Sequence, residues 1–353
     1  MRAEWEAVRD GIPTAAAGNL AVEELGALFS RQVGRLIPHD GYMLTGLDPV
    51  SGAGCFYAKE HGYSAATAHR VGVGELLGVD PFLLDAAPGG LCVIDAAGGP
   101  LGGPPPDPAV GDRQTALREV MAAEGVGVEM TIVLADGGRV WGTLIVVRER
   151  GRRSFSAEER RRAERLRRVL AAGVRRFVAD RPLRPSSHAA PPGVFVVGAD
   201  GAVLRATPSA GDWLAQLLPH ATRTPGEHRG AAWHLAALSH HRATETVCRV
   251  PTPSGFVELR AQPLSGGAVA EVAVTAQPAS GRVLLSAAGA WHGLTRREVM
   301  VLEQALEGMP AKQIARRLAL SVHTVRQHLD VVYRKTGVNS REELSAALLR
   351  GGW

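Results

Sequence analysis

The chain has 353 residues, enough for about three domains of ordinary size. Forty Lys and Arg against 35 Asp and Glu leave a formal net charge of +5, a mild basic excess rather than a polybasic tail. Three scattered cysteines, Cys55, Cys92 and Cys248, exclude a disulfide framework and CxxC metal spacing. No apolar run approaches the about 18 residues of a membrane span, and the first residues lack the apolar stretch of a secretory signal. A cytoplasmic protein is expected.

The first elements read as an α+β domain over residues 15–180. Val22–Ile37 is a helix with Val22, Leu25, Leu28, Phe29, Val33 and Leu36 on one face. Short strands are expected at Gly41–Leu47 and Gly54–Ala58. The Gly- and Pro-rich stretch Gly98–Asp107 is a long loop within this domain. Apolar alternation then predicts a hairpin, Gly127–Leu134 and Val140–Arg148, turning at Ala135–Arg139. Ser156 and Glu159 stand at capping-box spacing and open a long helix that carries Leu166, Val169, Leu170, Val174 and Phe177 along one stripe. Between Arg152 and Arg184 there are twelve Arg and four acids. The plain reading is a solvated basic face, with the apolar stripe forming a helix–helix dimer seam. The Trp141-Gly142 strand followed by the Phe155-Ser156-x-Glu158-Glu159 helix resembles the end of a GAF-like sensory domain. GAF domains bind diverse small molecules, and some only dimerise. An autoinducer-binding domain is the alternative for this segment and ranks below it.

A linker follows at Asp180–Gly193, rich in Pro, Ser and Ala. The middle domain, over residues 190–280, opens with strands Val194–Val197 and Val203–Ala206 around the turn Ala199-Asp200-Gly201. Pro208 starts a helix containing Trp213 and Leu217, and further strands are expected at Glu245–Val250, Phe256–Ala261 and Val269–Thr275. The opening hairpin and helix resemble a PAS-like domain. A second break falls at Gln277–Ser280, with a connector running to Trp291. His220, His228, His234, His240, His241 and Cys248 fall within twenty-nine residues, which raises a metal-sensing alternative. Their spacings match no compact ligand motif, so no metal or other cofactor is expected.

The last segment, residues 290–353, reads as four short helices. Ala311–Ala319 and Ser321–Lys335, joined by a very short turn, have the spacing of a helix-turn-helix, whose second helix lies in the major groove. Val322, Val325, Leu329 and Val332 mark its buried face, and His323, Arg326, Gln327, Asp330 and Arg334 the opposite one. Ser321 is placed as its N-cap, with Thr324 in the first turn. Ten Lys and Arg against six acids from Leu294 onward suit phosphate contact. The alternative class is a signalling scaffold whose C-terminal helical bundle binds protein rather than DNA.

Leu294-Thr295, Arg297-Glu298, Val301-Leu302, Gly308, Lys312, Ile314-Ala315, Leu318, Ser321, Thr324-Val325, His328-Leu329, Lys335, Val338 and Arg341 together resemble the LuxR/NarL-type DNA-binding domain, in order and without gaps. The resemblance implies that Lys312, Thr324 and Lys335 contact phosphates, that Arg326, Gln327 and Asp330 face bases, and that the fourth helix, Ser340–Leu349, forms a dimer contact. It implies double-stranded DNA, a second copy of the chain and RNA polymerase as partners, with a small effector of unidentified chemistry. Gln313, Pro310 and Ala311 depart from the family at the helix start. Asp330 departs on the reading face: a carboxylate accepts from cytosine N4 but repels phosphate.

No Gly-rich phosphate loop, GxSxG elbow or HExxH motif is present, and no acidic cluster with a later lysine marks a phosphorylated receiver. The reading is not an enzyme. It is an α+β multidomain chain, with sensory α+β domains ahead of an all-α four-helix helix-turn-helix domain, acting as a transcriptional regulator.

Overall fold

Two helices, α1 (Arg2–Ala15) and α2 (Val22–Gly34), precede a first sheet of five strands, β1 (Gly41–Leu47), β2 (Gly54–Glu60), β3 (Leu91–Asp95), β4 (Val126–Asp136) and β5 (Arg139–Glu149). The computed structural model describes residues 2–16, 20–61, 63, 91–96, 118–198, 202–217, 235–236, 238–240, 242–265 and 271–349. The strands lie antiparallel in the order β2-β1-β5-β4-β3. The predicted hairpin is β4–β5. Asp136 pairs with Arg139 across Gly137-Gly138, both at positive φ (58° and 75°), the two-residue turn whose twist matches the strands. The sequence reading missed α1 and β3. Gly11 and Pro13 weaken the helical signal of α1, but Val8 and Ile12 are fully buried and hold it in place by packing.

One face of this sheet is covered by α2 and by the long helix α3 (Ala157–Ala179), against which α1 also packs. The Ser156 hydroxyl accepts from the Glu159 amide at 3.2 Å, and the Glu159 carboxylate accepts from the Ser156 amide at 2.8 Å, closing the expected capping box. Leu166, Leu170, Val174 and Phe177 of α3 are buried within the chain. The stripe expected as a dimer seam is therefore an intramolecular core. Gly173 permits it: a Cβ there would sit 2.8 Å from the Phe29 ring and 2.9 Å from Ile12. On the other face of the sheet lies a small core of Met43, Tyr63, Met121, Val126 and Val147. Within it the Tyr63 hydroxyl donates to the buried Glu129 carboxyl, which Thr131 also meets at 3.2 Å.

The second sheet comprises β6 (Gly193–Val197), β7 (Val203–Ala206), β8 (Thr246–Thr252), β9 (Gly255–Pro263) and β10 (Val272–Pro278). Its order, β7-β6-β10-β9-β8, repeats the relative order of the first, again antiparallel. Helix α4 (Pro208–Leu217) covers its inner face with the fully buried Trp213. The two sheets meet edge to edge, β2 against β8, where the Cys248 thiol reaches the Gly54 carbonyl at 3.5 Å.

The expected connector is a helix, α5 (Gly281–Trp291), N-capped by Ser280. Its Trp291 stacks on Phe256 of β9 with centroids 4.6 Å apart and planes 14° off parallel. Four helices follow: α6 (Arg296–Leu306), α7 (Ala311–Leu318), α8 (Val322–Thr336) and α9 (Arg341–Leu349). Val301, Ala305, Ile314, Ala315 and Val325 give α6, α7 and α8 a core of their own. Leu302, Val332, Leu344 and Leu348 join the main core through α5. Among the described residues, no helix is long and apolar enough to cross a membrane.

Candidate nucleic-acid interface

The α7–α8 pair is built from short-range signals. Pro310 precedes the first turn of α7, where a missing N–H costs nothing. The chain reverses at Ala319, which adopts the left-handed region (φ 54°, ψ 47°). A non-glycine there is strained by roughly 1 kcal/mol. Ser321 then caps α8 by accepting from the Thr324 amide at 3.0 Å, and its hydroxyl shares a 2.8 Å hydrogen bond with that of Thr324. Ser321 and Thr324 thus serve the helix start.

His323, Arg326, Gln327, Asp330 and Arg334 are all exposed. At about 100° of rotation per residue, they fall within an arc of roughly 100° on α8. Val325 and Val332, fully buried, point the other way into the helical core. Lys312, in the first turn of α7, is exposed as well. Among the described residues, Lys312, Arg326 and Arg334 make no salt bridge or side-chain hydrogen bond, so their charges are available to an anion.

Lys335, expected as a phosphate contact, is engaged within the chain. Its ammonium donates to Glu298 Oε2 at 2.7 Å and to the Gly293 carbonyl at 3.0 Å. The reason is rotational, since nine residues place Lys335 about 180° around α8 from Arg326, toward α6. Glu298 is buried and accepts from the Thr295 amide at 2.7 Å, completing a capping box at the start of α6. Burial would raise its carboxyl, but hydrogen bonds from Lys335 and the Thr295 amide outweigh that and hold it below the usual range. The sequence reading assigned Glu298 no such part, although Thr-x-x-Glu is a visible cap signal. Arg341, at the start of α9, donates to the Met309 carbonyl at 3.0 Å and pins the turn before α7.

The domain is also tied to the connector. His292 sits with Nδ1 at 3.1 Å from the Lys335 carbonyl, and burial pushes its imidazole below the ordinary range. The α9 helix, expected as a dimer contact, packs in this chain on α5. A Cβ on Gly281 would lie 1.9 Å from the Leu348 carbonyl oxygen.

Residues 292–347 match the family model for bacterial regulatory proteins of the luxR family. The helical C-terminus is a LuxR-family regulatory domain. It is 40% identical over 65 residues to response regulator RamR of Streptomyces coelicolor, a match covering 18% of this chain and 32% of that protein. Transcriptional regulatory protein YdfI of Bacillus subtilis is 39% identical over 59 residues, covering 17% and 28%. The chain thus spans about a third of the length of these relatives, and the likeness is confined to the LuxR-family domain. Escherichia coli SdiA aligns over 96% of both chains at 15% identity and a TM-score of 0.34. A GAF domain of a Coxiella burnetii phosphoenolpyruvate-protein phosphotransferase aligns over 48% of this chain and 92% of its own, at 19% identity and 0.30. Overlaps that loose add nothing to the assignment, which rests on the LuxR-family domain itself.

Of the histidines and cysteine that raised the metal-sensing alternative, His220, His228, His234 and His241 lie outside the described residues. Cys248 is buried at the sheet junction and His240 is exposed. Among the described residues, no three His, Cys, Asp or Glu side chains are grouped to hold a metal ion.

Proposed function

We propose that this chain is a sequence-specific DNA-binding transcriptional regulator of the cytoplasm, acting as a homodimer. Helix α8 enters the major groove with Arg326, Gln327 and Asp330 toward base edges and His323 and Arg334 alongside. Lys312 and Thr324 hold phosphates, and Lys335 and Ser321 keep the reading helix in place. The observation that carries this is the uncovered arc of five polar side chains on α8, set on a separate core within a LuxR-family domain. The first and second sheets belong to sensory domains, GAF-like over residues 15–180 and PAS-like over 190–280. These answer a small effector or a partner protein. RNA polymerase is a further candidate partner.

The test is selection of bound sequences from a random duplex library by the full chain, followed by titration of the enriched site across a salt series. A groove-reading regulator enriches two related half-sites and loses affinity steeply as salt rises. Absence of any enriched sequence, or binding indifferent to salt, overturns the reading.

A further inference from the structure

Arg249 lies midway along β8, at the junction of the two sheets, with its side chain 5% exposed. Its guanidinium reaches two bodies at once. Nη1 donates to both carboxylate oxygens of Asp48, at 3.0 and 2.8 Å, and the Arg249 amide donates to Asp48 Oδ2 at 3.0 Å. Nε donates to the Val283 carbonyl at 2.7 Å and Nη2 to the Ser286 hydroxyl at 2.7 Å, both on α5. Asp48, fully buried as a side chain, directly follows β1 and also accepts from the Val50 and Ser51 amides at 2.9 Å, so it fixes the β1–β2 turn. One side chain therefore joins the first sheet, the second sheet and the connector.

At both ends α5 touches the LuxR-family domain. Its start abuts the end of α9 through Gly281 and Leu348, and its end leads into His292 and Gly293, which hold Lys335 of α8.

We infer that Arg249 is a positioning residue that latches the DNA-binding domain to the sensory body, with the β1–β2 turn at Asp48 as the input. A buried guanidinium stripped of its carboxylate is strongly disfavoured. When the turn moves, Arg249 either follows Asp48 and abandons Val283 and Ser286, or leaves the interface for water. Both paths remove the hydrogen bonds that tie α5 to β8, leaving its apolar packing alone to hold it, and the domain joined to α5 is oriented less firmly. The latch has two states because intermediate positions strand a charge. It rests on the DNA-binding reading only for what the released domain then does.

The test uses the full chain with three substitutions. Arg249→Lys keeps the charge toward Asp48 and removes the fork to α5. Ser286→Ala, at an exposed position, removes one α5 bond and leaves the ion pair and the fold alone. Asp48→Asn removes the input charge. Hydrogen exchange is followed at amides 284–291 of α5 and, for reference, in β4 and β5. All three substitutions are expected to speed α5 exchange at least tenfold over the reference strands. Unchanged α5 protection, or a rise shared equally by β4 and β5, overturns the latch. On duplexes with half-sites moved apart in single base-pair steps, wild type should prefer one spacing, and Arg249→Lys should bind neighbouring spacings within about threefold. Equal spacing preference in both proteins overturns the orienting role. If neither protein binds duplex while α5 exchange responds as expected, the DNA-binding reading fails and the latch stands.

Discussion

Glu298 and Lys335, 37 residues apart in the chain, meet at 2.7 Å and fasten the first helix of the LuxR-family domain to the far end of α8. The carboxylate is almost fully buried and the ammonium less than a third exposed. A charge-assisted hydrogen bond in such a setting does more than a surface pair. Lys335→Ala should lower the stability of the domain by roughly 1–3 kcal/mol, measured by urea unfolding of the full chain followed at the domain's own Tyr333. DNA binding should weaken with that unfolding while the salt slope of the folded protein stays unchanged. A slope lower by about one unit at unchanged stability would return Lys335 to the phosphate contacts.

The proposed roles of Arg326 on α8 as a base reader and of Lys312 on α7 as a phosphate holder predict different mutant behaviour. Arg326→Ala should relax preference at one base position per half-site, a loss of roughly 1–3 kcal/mol of discrimination, and leave weak non-specific binding. Lys312→Ala should weaken all sequences alike and reduce the salt slope by about one. Site selection on both variants checks this, and exchanged behaviours would exchange the roles.

Glu129 gives the first sheet a pH signature. Burial raises its carboxyl above the ordinary range, against hydrogen bonds from Tyr63 and Thr131 that lower it. A carboxyl raised on folding contributes stability that is full below its unfolded value and is lost as pH rises through the folded one. Glu129→Gln removes that loss. Its melting temperature should exceed that of wild type at pH 8, with the gap closing by pH 4. A gap that widens on acidification would mean that the carboxylate is stabilised in place.

Glu159 carries the opposite sign. Burial opposes its charge, but hydrogen bonds from Arg153, Arg148 and the Ser156 amide prevail and bring its carboxyl down to about 2. Its contribution is complete above the ordinary glutamate range and drains away as pH falls from there toward about 2. Glu159→Gln should destabilise the α3 start at pH 7 and converge on wild type near pH 2, as checked by exchange of the amides of 157–162.

His292 should act at milder acidity. Its imidazole is lowered by burial, so its share of stability is present above its unfolded value near 6.5 and is lost as pH falls below that. Acidification from pH 7.5 to 5.5 should loosen the α5–α8 junction in wild type and do so less in His292→Gln. Equal exchange at the α8 C-terminus in both proteins would remove His292 from that role.

Local rules made much of this legible in the sequence. Capping boxes at Ser156 and Thr295, the paired glycines between β4 and β5, and the period of Val325 and Val332 each depend on residues within a turn or two. The exposed arc of His323, Arg326, Gln327, Asp330 and Arg334 follows from the same period. The side of α8 on which Lys335 meets Glu298 follows from the same count of rotation. Tertiary packing decided the rest. Helix α1 forms despite Gly11 and Pro13 because Val8 and Ile12 find α3, and the apolar stripe of α3 is spent inside the chain because α1 and β4 reach it first. The junction of Asp48, Arg249 and Ser286 leaves no pattern in sequence. Its members are 201 and 37 residues apart, and a charge becomes buried only when elements from both sheets and the connector close around it.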